Sequence, residues 1–263
     1  MLSALLGTLL ADGTFPDLDA PVTCYVPGLI GSAHEGATIR NVLQMASGVG
    51  FDEDYLDQNS DINRMGRVIA LGGTLDGFTA GLTAHAAQPG LGWQYVSIGT
   101  HGIGMAIRGA TGRDIPSLLS ERIIAPLGLE AEPYSLVDGK GVAFVPGGLN
   151  LTTRDHARFG QMIAQDGVWQ GTRILPEGWV AQSTAASAPT PPGAIGYGYQ
   201  WWVPLGSQPG QFTARGIYGQ YLYVDRNRNV VIAANGADGG FREPAVDDAN
   251  IAMFRRIAQI LAP

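Results

Sequence analysis

The residues best able to do chemistry sit in one short run, Gly92-Trp93-Gln94-Tyr95-Val96-Ser97, just ahead of a glycine-rich segment. A tyrosine in a loop that feeds directly into a helix can hold its hydroxyl in a cleft while the helix fixes the backbone. There it can give a proton to a reacting atom or take one from it. Half-buried packing is the ordinary alternative for such a ring. Ser97 has two compatible readings, a hydroxyl beside that phenol or the N-cap of the following helix. The acidic run Phe51-Asp52-Glu53-Asp54-Tyr55 is a second candidate. Its carboxylates suit an ammonium group on a substrate, or else form a plain solvated loop.

Other chemistries lack their parts. Cys24 is the only cysteine, which excludes an internal disulfide and argues against a thiolate zinc site. His34, His85, His101 and His156 are scattered, with no HxxxH or HxH pair, so no metal and no cofactor is expected. His101 reads as a packed helix histidine, Asp155 and His156 as the first turn of a helix, and Trp201-Trp202 as packing. Asp and Glu outnumber Lys and Arg by 23 to 16, a formal charge of -7 with no basic stripe, which disfavours nucleic acid as a partner. No run reaches the length of roughly 20 apolar residues that spans a bilayer. Met1 to Ala11 looks like the apolar part of a secretion signal, but no basic residue precedes it and Ala11-Asp12-Gly13 is a poor cleavage site. That reading favours the cytoplasm. Leu2, Leu5, Leu6, Leu9 and Leu10 recur at spacings of three and four, which predicts a buried helix.

The elements that must position Tyr95 follow from periodicity and punctuation. Thr38 caps a predicted helix through Ile39, Val42, Leu43 and Met45 that stops at Gly48. Phe51 to Asp61 reads as a loop and Ile62 to Leu71 as a helix closed by Gly72-Gly73. Ser97 opens a helix ending at Gly112, whose internal glycines permit close packing. Asp114 caps another running towards Ile124 and stopped by Pro126, and Thr153 to Gln165 forms one more. Pro189 to Tyr199 reads as a surface loop. The period then changes: Gln211 to Tyr218, Tyr221 to Asp225 and Val230 to Ala234 are predicted strands, followed by a helix through Phe254, Ile257, Ile260 and Leu261. The fold class is α+β, a single domain over 1–263 with a mainly helical region at 30–150 and helices plus an antiparallel meander at 151–263.

Four ordered segments, Phe51-Asp52-Glu53-Asp54-Tyr55, Gly92 to Ser97, Gly147 to Gln161 and Ala214 to Gln220, resemble the class C β-lactamase and esterase superfamily. Asp17 to Val22, the first two of these and Gly216-Ile217-Tyr218-Gly219-Gln220 are most similar to its 6-aminohexanoate-dimer hydrolase branch. The resemblance covers essentially the whole chain. It implies a β-lactamase/transpeptidase-like fold and a serine hydrolase acting on a small linear amide or ester through an acyl-enzyme. Tyr95 would relay a proton with Ser97 beside it, and the backbone N–H of Ile217 would supply half of the oxyanion hole. Tyr55, Asp54, Trp93 and Gly216 would contact substrate.

Such enzymes take their nucleophile from Ser-x-x-Lys, and no such motif occurs here: Lys140 is the only lysine and Ser3 is followed at the third position by Leu6. Met1 to Gly7 matches the stretch just after that motif. The resemblance thus implies a nucleophile and N-terminal strands ahead of Met1, and an exposed sheet edge beside Tyr221, Tyr223, Val231 and Ile232 without them. A non-catalytic binding protein of the same fold is the alternative. Where many β-lactamases carry Lys-Thr-Gly, this chain has Arg215-Gly216-Ile217, which points to the amidase or esterase side.

Overall fold

Residues 1–262 are described by the structure, a computed structural model. The chain forms two compact units. The first comprises Met1–Arg122, Tyr134–Asn150 and Ala188–Pro191, and the second Ile123–Pro133, Leu151–Ser187 and the chain from Pro192 onwards. Each is described by itself.

In the first unit, α1 (Leu2–Ala11) is the predicted leucine helix, with Leu5, Leu6 and Leu9 completely buried. Helix α2 (Ile39–Leu43) starts at Thr38, whose hydroxyl accepts the Asn41 amide while Asn41 reaches back to the Thr38 N–H. It ends short of Gly48 because Met45 takes a left-handed conformation, φ 55°. Gly48 itself is required: at φ 79° a Cβ there would come within 2.4 Å of the Ala87 carbonyl oxygen. Then follow α3 (Asp61–Ala70), capped by Ser60, and α4 (Leu75–Ala80), capped by Thr74. Helix α5 (Ser97–Thr111) ends at Gly112 with φ 65°, and α6 (Ile115–Leu119) is capped by Asp114. A two-stranded ladder, β1 (Tyr134–Ser135) with β2 (Leu149–Asn150), completes the unit.

Helix α5 is the spine of this unit. Its glycines do what a larger residue could not: a Cβ on Gly109 would lie 2.0 Å from the Tyr25 carbonyl oxygen. Ile98 and Val96 at its start share one apolar cluster with Phe51, Val49, Ile62, Met65 and Leu75. The loop that carries the acidic run and the loop that carries Tyr95 are thereby pinned to the same core.

The predicted helix from Asp114 to Ile124 differs in its second half. After α6 the chain takes a π turn over Ser120–Ile124. Pro126 does not stop it; proline is tolerated in a first turn, and here it lies within short α7 (Ala125–Leu127), which ends at Gly128 with φ 62°.

In the second unit, α8 (Thr153–Ala164), a hairpin of β3 (Val168–Trp169) with β4 (Thr172–Arg173), and α9 (Trp179–Thr184) precede the main sheet. That sheet is antiparallel in the order β5 (Gly196–Tyr197), β6 (Trp202–Val203), β7 (Gln211–Gly216), β8 (Gln220–Asp225), β9 (Val230–Ala234). The long α10 (Pro244–Leu261) closes the unit. Alternation along β8 assigns its faces. Tyr221 and Tyr223 pack with Ile251, Phe254 and Ala258 of α10, while a Cβ on Gly160 of α8 would meet Leu222 and Val231 within 2.7 Å.

Three expectations are corrected here. Pro189 to Tyr199 is not simply a surface loop, since Tyr197 lies in β5 and both Tyr197 and Tyr199 are buried. The sheet edge expected beside Tyr221, Tyr223, Val231 and Ile232 falls on β9, which carries Val231 and Ile232 and ends the strand order. Tyr221 and Tyr223 lie on the interior strand β8 and are covered by α10. Strand β7 ends at Gly216 rather than Tyr218, because Ile217–Gly219 form a tight 3-10 turn with Tyr218 at φ 60°.

Candidate active site

Val96, between Tyr95 and Ser97, leaves the preceding loop extended, at φ -136° and ψ 99°. Alternation therefore sends Val96 into the core and leaves Tyr95 and Ser97 on the other side. The loop is held in place from two directions. The Gln94 amide donates to the Met45 carbonyl at 2.9 Å, and the Gln94 side chain donates to the Phe51 carbonyl at 2.9 Å.

Ser97 is not the N-cap of α5. Val96 occupies that position and offers no side-chain bond, so Ser97 is the first helical residue. The missing cap is supplied from 44 positions away. Glu53 accepts the Ser97 N–H on one carboxylate oxygen at 2.5 Å and the Ser97 hydroxyl on the other at 3.1 Å. A carboxylate at a helix N-terminus answers both the orphan amide and the positive end of the helix dipole, worth about 1 kcal/mol when partly buried.

Tyr95 is half-buried, and its hydroxyl is hydrogen-bonded to Ser97. Burial, then the Glu53 carboxylate, then Tyr55 push its phenol well above the ordinary tyrosine range, which keeps it protonated at neutral pH. A protonated phenol is a proton donor. Tyr55 leans its ring on the same apolar cluster as Val96. Tyr55, Glu53, Tyr95 and Ser97 are thus brought together in the first unit.

The acidic run is not simply solvated, because its own carboxylates shape the loop. The Asp52 carboxylate accepts the Asp54 amide, Asp54 accepts the Leu56 amide, and Asp57 accepts the Asn59 amide, at 2.8 to 3.0 Å. Asn63 of α3 brackets the loop from outside, its side-chain nitrogen lying 3.3, 3.1 and 2.8 Å from the carbonyl oxygens of Asp54, Tyr55 and Asp57. Asp54 thus shapes this loop, and Trp93, two residues before Tyr95, is half-buried.

His101 is buried as expected, with Nε2 2.8 Å from Asp76, which also takes Arg108 at 2.6 Å. The bond from His101, followed by that from Arg108, pulls the Asp76 carboxyl down to about 2. Among the described residues no group of three or more His, Cys, Asp or Glu side chains is placed to hold a metal ion.

Gly216 and Ile217 lie in the second unit, at the turn between β7 and β8. The Ile217 side chain is exposed, and the turn beneath it is tightly specified. Gly219 takes φ 86°, Tyr218 stacks edge-on against Phe241, and the Tyr218 carbonyl accepts the Asp238 amide at 3.0 Å. Arg215, just before the turn, reaches towards α10. Its guanidinium lies over Trp202 and 2.5 Å from Asp247, which also accepts the Tyr221 hydroxyl at 2.9 Å. Trp201 and Trp202 pack as expected, Trp201 against Phe159 and Phe212.

Sequence reading missed Glu53 as the partner of Ser97, Asn63 and Gln94. The alternation Asp52-x-Asp54-x-Leu56 and Asp57-x-Asn59 could have shown the Asx turns, but nothing local points from Glu53 to Ser97.

Comparison with known proteins places this architecture. Residues 1–252 match the model of the family described as Beta-lactamase. A curated 6-aminohexanoate-dimer hydrolase of Paenarthrobacter ureafaciens is 31% identical over 248 residues, covering 88% of this chain and 62% of that protein. The chain thus spans less than two thirds of the length of that relative. Among solved structures, a Bacillus anthracis protein provisionally assigned as a 6-aminohexanoate-dimer hydrolase superposes with a TM-score of 0.86 at 25% identity, over 99% of this chain and 70% of that one. A D-stereospecific amidohydrolase from Streptomyces sp. gives 0.65 at 22% identity, over 90% and 79%. A family VIII carboxylesterase gives 0.69 at 17%, over 97% and 80%. The last two share the fold. The chain belongs to the Beta-lactamase family.

Proposed function

We propose that this Beta-lactamase-family chain carries most of the machinery of a serine hydrolase that cleaves linear amides or esters through an acyl-enzyme. Tyr95 is the proton relay and Ser97 its partner. The amide of Ile217 is one of two donors to the oxyanion, the other being the nucleophile's own N–H. Tyr55, Asp54, Trp93 and Gly216 make the substrate contacts.

The observation that carries this reading is the Tyr95–Ser97 pair, fixed at the start of α5 by a carboxylate and kept protonated by its surroundings. A general acid must hold its proton at working pH, and a phenol raised by burial does. Arg215 supports the amidase or esterase side over a dedicated β-lactamase. The cation of its strand is committed to Asp247 and Trp202 rather than available to a substrate carboxylate. The dimer-hydrolase and amidohydrolase relatives support the same substrate class.

A hydroxyl needs a base to become a nucleophile at neutral pH, and the 263 residues contain no Ser-x-x-Lys. That absence favours a second reading, a binding protein that keeps the fold without turnover. Nitrocefin, p-nitrophenyl acetate and aminohexanoate dimer separate the two. The 263-residue chain should neither turn over nor form a covalent adduct by mass spectrometry. A form that carries Ser-x-x-Lys ahead of Met1 should exceed it by on the order of 10⁶ in turnover, the loss typical of removing a serine nucleophile. Acylation of any serine in the 263-residue chain would overturn the assignment, and an inert longer form would establish the binding reading.

A further inference from the structure

Arg215 and Tyr221 are cross-strand partners on β7 and β8, and the next pair, Gly216 with Gln220, closes on the Ile217–Gly219 turn. Residues directly opposite each other point to one face of a sheet, and here both side chains end on the same carboxylate. The Arg215 guanidinium lies 2.5 Å from one oxygen of Asp247, and the Tyr221 hydroxyl donates to the other at 2.9 Å. Asp247 stands in the first turn of α10. With side-chain exposures of 19% and 20%, Arg215 and Asp247 form a partly buried pair rather than a solvated one.

The chain that leads into Asp247 also grips the turn itself. Between β9 and α10, the Asp238 amide donates to the Tyr218 carbonyl at 3.0 Å, and the Phe241 ring meets that of Tyr218 at 5.0 Å. The Gln220 side chain donates to the Gly236 carbonyl at 2.6 Å. Residues 236–247 thus clasp the hairpin end at two levels, its tip through Tyr218 and Gln220 and its base through Arg215 and Tyr221.

We propose that Asp247 is a positioning residue for the oxyanion donor: by bridging Arg215 and Tyr221 it fixes the base on which the Ile217 turn stands and anchors the clasp around its tip. The dihedrals of the turn set the direction of the Ile217 N–H, and Asp247 sets where that N–H is held. The inference rests on the proposed role of the Ile217 amide. A donor to a developing oxyanion must already be in place when the charge forms, and one that has to reorganise gives up part of its effect.

Asp247→Asn tests this in the 263-residue protein. A carboxamide has one oxygen and its –NH₂ is itself a donor, so it cannot accept from Arg215 and Tyr221 together. Backbone order parameters from ¹⁵N relaxation at residues 216–219 should be near about 0.85 in the wild type and fall below about 0.6 in Asp247→Asn. Those of α8 and α9 should stay as they are. Tyr221→Phe removes one arm of the bridge and keeps the ring against Phe254. It should loosen the same four residues by a smaller amount, and it carries the test if Asp247→Asn does not fold.

Unchanged order at 216–219 in either folded variant would overturn the proposal. So would an equal loss at α8 and α9, which marks a general weakening of the fold. In a form that carries Ser-x-x-Lys ahead of Met1, Asp247→Asn should lower kcat by about tenfold or more with KM nearly unchanged. The oxyanion exists only in the transition state, and removing one such donor outright costs about 10² to 10³. Lost stability alone would not split kcat from KM in this way. If the turn loosened as stated while kcat held, the role of Ile217 would fall and the positioning role of Asp247 in the turn would stand.

Discussion

The start of α5 and the turn after β7 each present a proposed hydrogen-bond donor, and they are built in opposite ways. At Tyr95 the donor is a side chain, placed by groups from far along the sequence, Glu53 and, behind the loop, Asn63, and by its neighbour Gln94, which is tied to the distant Phe51 carbonyl. At Ile217 the donor is a backbone amide, and its direction follows from the chain itself, Gly216 at φ -122° and ψ 172° leading into the turn whose next residues are Tyr218 at φ 60° and Gly219 at φ 86°. A donor of the first kind carries a titration and can be tuned by charge. One of the second kind does not titrate at all and can be moved only by bending the chain. Enzymes that need both a proton and an oxyanion clamp gain from making them differently, since pH can then act on one without disturbing the other.

The largest effect that tests this contrast is Tyr95→Phe in a form carrying Ser-x-x-Lys. Turnover should drop by about 10² to 10⁴, the usual range for a positioned proton donor, with the melting temperature nearly unchanged because the ring stays in place. Loss of folding with normal specific activity would make Tyr95 a packing residue.

Acid should then unsettle the first unit in two windows. His34 is fully buried, both ring nitrogens lack a hydrogen-bond partner, and a Cβ on Gly102 of α5 would lie 3.6 Å from it. Burial first, then His101 and His85, lower its pKa to about 4 from 6.5. The unfolded chain therefore takes up a proton that the fold refuses, so stability falls as pH drops from about 6.5 to about 4, by an amount on the order of 2–3 kcal/mol. Asp76 contributes in a lower window: its depressed carboxyl gives stability present above the unfolded value and lost as pH falls through about 2. Melting temperatures at pH 7 and pH 4.5 should differ less in His34→Leu than in wild type. His156, also lowered to about 4 by burial, supplies part of what remains. Equal losses in both proteins would place the acid sensitivity elsewhere.

The smallest effect belongs to the backbone-built turn. A methyl added at Gly219 meets nothing closer than 3.8 Å, so Gly219→Ala should cost only the left-handed dihedral, about 1 kcal/mol. Urea denaturation at pH 7 and pH 5 should return the same difference. A strongly pH-dependent difference would mean that the turn, too, is held by titrating groups.

The sequence made some of this legible and not the rest, for physical reasons. Helix α5 could be bounded from Ser97 to Gly112 because a left-handed stop is a local property of glycine. The β7–β8–β9 meander was visible because alternation and turn chemistry are also local. The faces of β8 were not, since covering Tyr221 and Tyr223 requires α10 to return from more than twenty residues away. Strand β5 was hidden for a similar reason: two residues of pairing within a stretch rich in proline and glycine leave no period to detect. At the candidate site, Tyr95 and Ser97 stood out by type, but the cap on Ser97 went to the wrong residue. A serine before a helix fits the capping rule, and nothing in the run Phe51 to Tyr55 says which of its carboxylates reaches another loop.

The bracket that Asn63 forms over the acidic loop also bears on how the protein ages. An asparagine side chain can lose ammonia when the next backbone nitrogen closes on it, and the product is a carboxylate. At position 63 that carboxylate would face the carbonyl oxygens of Asp54, Tyr55 and Asp57, turning a clasp into a wedge and loosening the neighbours of Glu53. The nitrogen that would have to attack belongs to Arg64, and the first turn of α3 holds it 2.9 Å from the Ser60 carbonyl. The helix is thus the preservative for its own most perishable side chain, and shelf life at this site is governed by how often one turn of α3 comes undone.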